Sequence, residues 1–125
     1  MCGIVGIYNN KYKNNNIEDS IKFLNSLQYH RGPDDSNYYV DKDLNFAMGS
    51  TRLAIQDIKN GAQPMYSRDK RYVIVYNGEI FNSPDLRSKL LYKGIDFTSS
   101  NSDTEVLLNK LIHDGLGSLS EINGM

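Results

Sequence analysis

The sequence contains one cysteine, no tryptophan and no long apolar run. A single cysteine cannot form a disulfide within the chain, which fits a reducing compartment. No stretch approaches the roughly 18 apolar residues of a membrane span. The N-terminus has no charged segment followed by a long apolar one, so no signal peptide is predicted. We therefore expect a soluble cytoplasmic protein that does not bind a membrane.

The sequence also lacks an excess of either charge. Fourteen basic and fifteen acidic residues give a formal net charge of −1 over 125 residues, enough for one domain or part of one. Such a balance does not favour nucleic acid as a partner. No glycine-rich phosphate loop follows a predicted strand, so no cofactor is predicted for this chain.

The feature that stands out is a cysteine at the second position. Removal of the initiator methionine would make Cys2 the first residue, with a thiol and a free α-amine on one Cα. The α-amino group titrates at about 7.7–8.0, so it can take the proton of the thiol. The alternative is that Cys2 is a small buried hydrophobe that opens a strand.

Hydrophobic periodicity predicts a buried strand at residues 4–8 and a helix that begins after Asn16. The helix should end before the turn at residues 31–35. Two strands, residues 36–40 and 44–55, should follow. The apolar stripe of the helix consists of Ile17, Ile21, Leu24 and Leu27.

Residues 72–76 predict a further strand, and Asn77-Gly78 is the dipeptide most typical of a two-residue hairpin turn. The return strand would be residues 79–81. This arrangement favours antiparallel sheet over parallel crossover connections.

Two helices complete the pattern. One begins at Ser83-Pro84-Asp85 and should end at Gly94. The other begins at the capping box of residues 102–105 and should end near Gly115. Helices that are segregated from antiparallel strands indicate the α+β class.

Besides Cys2, five residues could serve acyl transfer. Asn77 and Gly78 could stabilise an oxyanion, although Asn-Gly is also simply what a hairpin prefers. Arg52 could bind a carboxylate, or it could lie on the solvent face of an edge strand. Glu79 and Asp103 could hold an ammonium group, although Asp103 also suits the first turn of a helix.

The two histidines are weaker candidates. His30 could pair with Cys2, but a lone histidine is more often structural; His113 suits the end of a helix. A metal site formed from Cys2, His30, Asp34 and Asp35 has no recognised ligand spacing, so no metal is predicted.

Several short motifs occur in a fixed order: Cys2-Gly3-Ile4-Val5-Gly6, His30-Arg31-Gly32-Pro33-Asp34, Arg52-Leu53-Ala54-Ile55, Gln63-Pro64-Met65, Tyr76-Asn77-Gly78-Glu79-Ile80-Phe81-Asn82 and Ser102-Asp103-Thr104-Glu105. Together they resemble the class II glutamine amidotransferases, which are N-terminal-nucleophile (Ntn) glutaminase domains. Leu53 and Tyr76 replace the residues typical of the purine and hexosamine branches, so the pattern is most similar to the glutamine-hydrolysing asparagine synthetase branch.

The resemblance implies a role for each matching residue. Cys2 would attack the glutamine side-chain amide, with its own amine as proton shuttle, and Asn77 and Gly78 would stabilise the oxyanion. Arg52 would bind the substrate α-carboxylate. The α-ammonium would be held by Glu79 and Asp103, and the pocket would be lined by Leu53, Ala54, Ile55 and Gln56.

The implied fold is an αββα sandwich of two antiparallel sheets. This chain departs from the family pattern at Ser50, where a histidine is usual, and at Phe81, where a tyrosine is usual. Residues 122–125 resemble the start of a strand that the family continues. We therefore expect residues 1–125 to be a partial glutaminase domain without its synthetase domain.

For the parent protein, the resemblance implies ATP-dependent synthesis of asparagine from aspartate, with ATP and Mg in the synthetase domain, and it leaves a homodimer open. Three alternatives remain at this point: a non-catalytic fragment, an Ntn hydrolase for another amide, and a related amidotransferase that acts on another carboxylate such as a sugar acid.

Overall fold

The computed structural model describes residues 2–8, 16–53 and 61–125. The chain divides into two compact units, which we call the first and second units. The first unit comprises Met1–Ala54, Ala62–Pro64 and Val75–Asn77. The second unit comprises Ile55–Gly61, Met65–Ile74 and Gly78–Met125.

The described residues of the first unit form a three-stranded antiparallel sheet and an α-helix. Its strands are β1 (Gly3–Tyr8), β2 (Asp35–Asp41) and β3 (Phe46–Arg52), in the order β1-β3-β2. Its helix is α1 (Ile17–Ser26), followed by a 3₁₀ turn at Tyr29–Arg31. Ile17 and Ile21 of α1 are buried, and they pack with Ala47 of β3 and with half-buried apolar residues of β1 and β2.

Strand β3 lies at the centre of this sheet, and its pairing with β1 and β2 determines which residues lie beside its C-terminal end. Gly3 is opposite Thr51, and Asp35 is opposite Arg52. Cys2, one residue before β1, therefore adjoins the C-terminal end of β3.

The prediction that the first strand is fully buried is wrong, because Ile4 is 44% exposed and Tyr8 is 67% exposed. Successive side chains of β1 point to opposite faces, and α1 packs on the sheet through Val5 and Ile7.

The second unit combines a small sheet with two helices. Strands β4 (Met65–Tyr66) and β5 (Val73–Ile74) pair antiparallel. Helices α2 (Ser83–Tyr92) and α3 (Asp103–Asp114) follow, with a 3₁₀ segment at Leu116–Glu121. The buried apolar side chains of the two helices are Leu86, Leu90, Val106, Leu107 and Leu108.

The predicted hairpin around Asn77-Gly78 is wrong. Strand β5 ends at Ile74 and pairs with β4, while Ile80 forms a bridge with Gly124. Glu79 and Met125 exchange two backbone hydrogen bonds of 2.9 Å each, and the Phe81 N–H donates to the Asn123 carbonyl at 2.8 Å. A partner close to the C-terminus thus takes the place of the expected return pairing.

The three predicted helices are confirmed, with small differences at their ends. Helix α2 begins at Ser83 as predicted; Gly94 lies two residues after its end and Gly115 directly after α3, with φ of 83° and 75°. Half of the predicted capping box is present, since the Ser102 hydroxyl accepts from the Glu105 N–H at 3.3 Å. The Glu105 carboxylate instead accepts hydrogen bonds from the N–H groups of Thr98 and Ser99.

The predicted strands 36–40 and 44–55 correspond to β2 and β3, although residues 54 and 55 lie outside the described residues. With two antiparallel sheets and separate helices, the predicted α+β class is confirmed. Among the described residues, no helix has the length and apolar character needed to cross a membrane.

Candidate active site

The Cys2 thiol lies against the residue that follows β3. The Leu53 N–H donates to Cys2 Sγ at 3.4 Å, and Sγ lies 3.8 Å from the Leu53 carbonyl oxygen. Cys2 forms no disulfide and is half-buried rather than enclosed in the core. The thiol is therefore held by backbone contacts beside the end of the strand that carries Arg52.

Arg31 also holds the nucleophile segment, and sequence reasoning gave it no role. Its Nε–H donates to the Cys2 carbonyl oxygen at 3.0 Å. The only signal was its place in the His30–Asp34 motif, which does not say what the guanidinium binds. His30 itself is exposed, with Nδ1 3.2 Å from the Leu27 carbonyl oxygen, as expected for a structural histidine.

The remainder of that motif packs on the backbone of Arg52. Pro33 forms a parallel bridge with Arg52, and the Asp34 N–H donates to the Arg52 carbonyl at 3.1 Å. A Cβ on Gly32 would lie 2.5 Å from the backbone nitrogen and the carbonyl carbon of Arg52. Only glycine permits this approach without displacement of backbone, so the motif fixes the end of β3.

Arg52 does not lie on an edge strand. Strand β3 is central in its sheet, and Arg52 is 8% exposed. The alternative of a solvent-facing arginine on an edge strand is therefore wrong. Arg52 is thus a largely buried cation on the strand that ends beside the thiol, and a guanidinium is a group suited to recognition of a carboxylate.

The segment that carries Asn77 is held by Gln63, to which sequence reasoning gave no role beyond its place in a motif. Gln63 Nε2 donates to the Tyr76 carbonyl at 3.0 Å, and Gln63 Oε1 accepts from the Tyr76 N–H at 2.7 Å. Asn77 follows directly and is half-buried, and Gly78 is exposed.

In the second unit, the structure brings Asp103 to the segment of Glu79. Asp103 is the first residue of α3 and is 9% exposed. Its Oδ2 accepts from the Ile80 N–H at 3.1 Å, so the carboxylate adjoins the residue after Glu79. The side chain of Thr104 lies 3.5 Å from Asp103 Oδ1.

A network of charged side chains supports the N-terminus of α3. The Glu105 carboxylate accepts from the Thr98 N–H at 2.7 Å, from the Ser99 N–H at 2.8 Å and from the Ser99 hydroxyl. The Arg87 guanidinium donates to the carbonyl oxygens of Ser99 at 2.9 Å and Ser102 at 3.3 Å. The loop before Asp103 is thus bound from two sides.

These hydrogen bonds also change the acidity of Glu105. Burial acts to raise the pKa of its carboxyl, but the hydrogen bonds from the Ser99 hydroxyl and from the backbone N–H groups of Thr98 and Ser99 outweigh it. The pKa of Glu105 therefore lies below its usual value of 4.5.

The predicted site residues are divided between the two units. Cys2, Arg52, Leu53 and Asn77 belong to the first, and Gly78, Glu79 and Asp103 to the second. Three further candidates, Ala54, Ile55 and Gln56, lie outside the described residues. In the described ranges, no three His, Cys, Asp or Glu side chains are grouped so that they could hold a metal ion.

Known proteins similar to this chain agree on one family. All of residues 1–125 match the family described as "Glutamine amidotransferase domain". The chain is 41% identical over 127 residues to "Asparagine synthetase [glutamine-hydrolyzing] 1" of Bacillus subtilis, of which the alignment covers 20%. It is 34% identical over 125 residues to "Asparagine synthetase B [glutamine-hydrolyzing]" of Escherichia coli, of which 22% is covered.

Both alignments cover 100% of this chain, which spans about a fifth of the length of these relatives. A match over the full chain, with the cysteine, arginine and Asn-Gly motifs in their expected order, leaves one conclusion. The chain belongs to the glutamine amidotransferase domain family.

Proposed function

We propose that this chain hydrolyses glutamine to glutamate and ammonia, with Cys2 as the nucleophile. The observation that carries the proposal is the 3.4 Å contact of Cys2 Sγ with the Leu53 N–H, directly after the buried Arg52. A nucleophile and a carboxylate-binding cation at the end of the same strand are what attack on an amino-acid amide needs. Membership of the glutamine amidotransferase domain family supports glutamine as that amino acid.

The proposed chemistry begins after removal of Met1. The α-amine of Cys2 takes the thiol proton, and the thiolate attacks the side-chain carbonyl carbon of glutamine. The side-chain amide of Asn77 and the N–H of Gly78 stabilise the resulting oxyanion. The amine returns its proton to the leaving nitrogen, ammonia departs, and water then hydrolyses the glutamyl thioester to release glutamate and the thiol.

The two charged groups of the substrate are proposed to bind side chains of opposite charge. Arg52 binds the α-carboxylate, and Glu79 and Asp103 bind the α-ammonium group. The hydrogen bond from the Ile80 N–H to Asp103 supports this assignment, because it ties the second acid to the segment of the first. The pocket is proposed to be lined by Leu53, Ala54, Ile55 and Gln56.

We further propose that residues 1–125 are part of the glutaminase domain of a longer, cytoplasmic protein. The relatives are named glutamine-hydrolysing asparagine synthetases, and this chain spans about a fifth of each. In such a parent, a synthetase domain that holds ATP and Mg would use the ammonia to convert aspartate to asparagine. No part of that second reaction is assigned to residues of this chain.

Steady-state release of glutamate and ammonia from glutamine tests the proposal. Protein whose loss of Met1 has been verified by mass should release both products in equal amounts. Cys2→Ser should lower kcat roughly 10³-fold or more, because no other described group can form the thioester. Verified protein that releases no glutamate, or a Cys2→Ser variant that is as active as the wild type, would contradict it.

A further inference from the structure

Gln63 makes two hydrogen bonds that no step of the proposed chemistry uses. Its side-chain amide donates to the Tyr76 carbonyl at 3.0 Å and accepts from the Tyr76 N–H at 2.7 Å. The side chain thus takes the place of the neighbouring strand that would normally satisfy both groups. Gln63 is 9% exposed, so water competes weakly for these bonds.

The two bonds fall where regular pairing is missing. Strand β5 ends at Ile74, and the next ladder contact is the bridge of Ile80 with Gly124. Tyr76 and Asn77 lie between them, outside every strand of the described residues. Among the described residues this stretch belongs to no β-ladder, and the two bonds from Gln63 restrain its path.

Hydrogen bonds to Tyr76 also restrain the orientation of Asn77. The Tyr76 carbonyl and the Asn77 N–H belong to one planar peptide unit. A side chain that holds the carbonyl oxygen therefore fixes the plane from which the Asn77 Cα and side chain project. The hydrogen bond to the Tyr76 N–H fixes the preceding plane, so rotation about the Tyr76 Cα is restricted as well.

We propose that Gln63 is a positioning residue that holds the side-chain amide of Asn77 in the orientation needed to stabilise the oxyanion. The inference rests on the proposed function, since it concerns the role of Asn77 in that reaction. Donors that stabilise a developing charge work only when they are already oriented, and a displacement of about 1 Å can lower a rate about 10²-fold. Gln63 makes no contribution to the affinity for glutamine in this account.

Two substitutions separate the two bonds. Gln63→Glu keeps an acceptor for the Tyr76 N–H but places a second carboxylate oxygen against the Tyr76 carbonyl, where the donor is lost. Gln63→Ala removes both bonds. The chain also offers a matched control: Asn82 Nδ2 donates to the Glu121 carbonyl at 2.9 Å, and Asn82 Oδ1 accepts from the Asn123 N–H at 2.9 Å. Asn82→Ala removes the same kind of two-bond contact from the second unit.

The experiment measures kcat and KM for glutamine together with the mobility of the Asn77 side-chain amide by ¹⁵N relaxation. We expect both Gln63 variants to lower kcat about 10- to 100-fold with KM changed less than about threefold. The Asn77 amide should become mobile in both variants. Asn82→Ala should change neither kcat nor the mobility of the Asn77 amide.

The two readouts distinguish failure of this inference from failure of the proposed function. If the wild type lacks glutaminase activity, the proposed function fails, and the relaxation data alone decide whether Gln63 orders Asn77. An Asn77 amide as rigid in the Gln63 variants as in the wild type would overturn the inference. An equal fall in kcat in Asn82→Ala would also overturn it. So would Gln63 variants that raise KM and leave kcat unchanged.

Discussion

The two units hold their candidate residues by different means. In the first unit, strand register and close backbone contacts set the position of Cys2 and Arg52, through Leu53 and the loop of Gly32. In the second unit, hydrogen bonds from side chains set the position of Asp103, with Glu105 bound to the loop that precedes it. The arrangement of Gly32 against Arg52 depends on steric fit, and the arrangement around Glu105 depends on charge.

This difference predicts how each unit responds to change. A contact between backbone atoms tolerates no added volume, but it does not depend on pH. A network centred on a buried carboxylate tolerates small changes in volume, but it loses its stabilising effect when that carboxylate is neutralised or protonated. Substitutions that add one methyl group or remove one charge therefore separate the two units.

The largest effect is expected from Gly32→Ala in the first unit. The added Cβ would lie 2.5 Å from backbone atoms of Arg52, so either the loop or the end of β3 has to move. We expect the free energy of unfolding to fall by about 3 kcal/mol, the upper part of the usual range for overpacking. Urea unfolding followed by circular dichroism measures it.

Gly117→Ala is the matched control for that substitution. A Cβ at Gly117 meets no atom within 4 Å, so the same methyl group should change stability by no more than about 0.5 kcal/mol. If the two alanine variants were equally stable, steric fit between Gly32 and Arg52 would not be what holds the end of β3.

In the second unit, Glu105→Gln is expected to cause the next largest loss of stability. The amide has nearly the shape of the carboxylate, but it lacks the charge and turns an NH₂ group toward the donors of Thr98 and Ser99. We expect a loss of about 2 kcal/mol at pH 7, typical of hydrogen bonds to a charged group. Glu121→Gln is the control: the Glu121 carboxylate is exposed and buried Lys110 keeps its closer pair with Asp114 at 2.8 Å, so the loss should be at most about 1 kcal/mol.

The pH dependence of this variant sharpens the test. The pKa of Glu105 is lower in the folded state than its usual value of 4.5, so its stabilising effect is complete above that pH. The effect is lost as the pH falls below 4.5 and through the pKa of the folded state. The difference between wild type and Glu105→Gln should therefore shrink in acid, and a difference that stayed constant to low pH would contradict the proposed network.

The smallest effect concerns the helix starts of the two units. The Ser102 hydroxyl accepts a hydrogen bond from the Glu105 N–H, whereas Asn16 makes no side-chain capping bond at the start of α1. Ser102→Ala should cost about 1 kcal/mol through the loss of its cap, and Asn16→Ala should cost less because it removes no capping bond from α1. Thermal unfolding of both variants measures the contrast, and equal losses would show that the Ser102 cap is not a specific support of α3.

The same contrast explains what could be predicted from the sequence. The helices were recognisable because their signals are local: the apolar spacing of α1, the proline at the start of α2 and the capping serine of α3. The candidate site residues were recognisable from motifs, and their roles remain predictions. Burial of Arg52 could not be predicted, because it depends on which strand becomes central.

The failures come from contacts between residues far apart in sequence. Asn77-Gly78 carries the local signal of a hairpin, yet the partner of residues 79–81 is the segment 123–125. Gln63 and Tyr76 are joined across 13 residues, and Arg31 reaches Cys2 across 29. A polar side chain that binds a distant backbone group leaves no periodicity in the sequence, so pattern analysis does not detect it.

The proposed function depends above all on Cys2 as the nucleophile of a glutaminase site. The most direct test is the intact mass of the chain before and after exposure to a diazo-ketone glutamine analogue, for wild type and Cys2→Ala. We expect loss of Met1 and a single covalent adduct on the wild type, with no adduct on Cys2→Ala. Wild-type chain that has lost Met1 and gains no adduct, or an adduct that persists in Cys2→Ala, would contradict it.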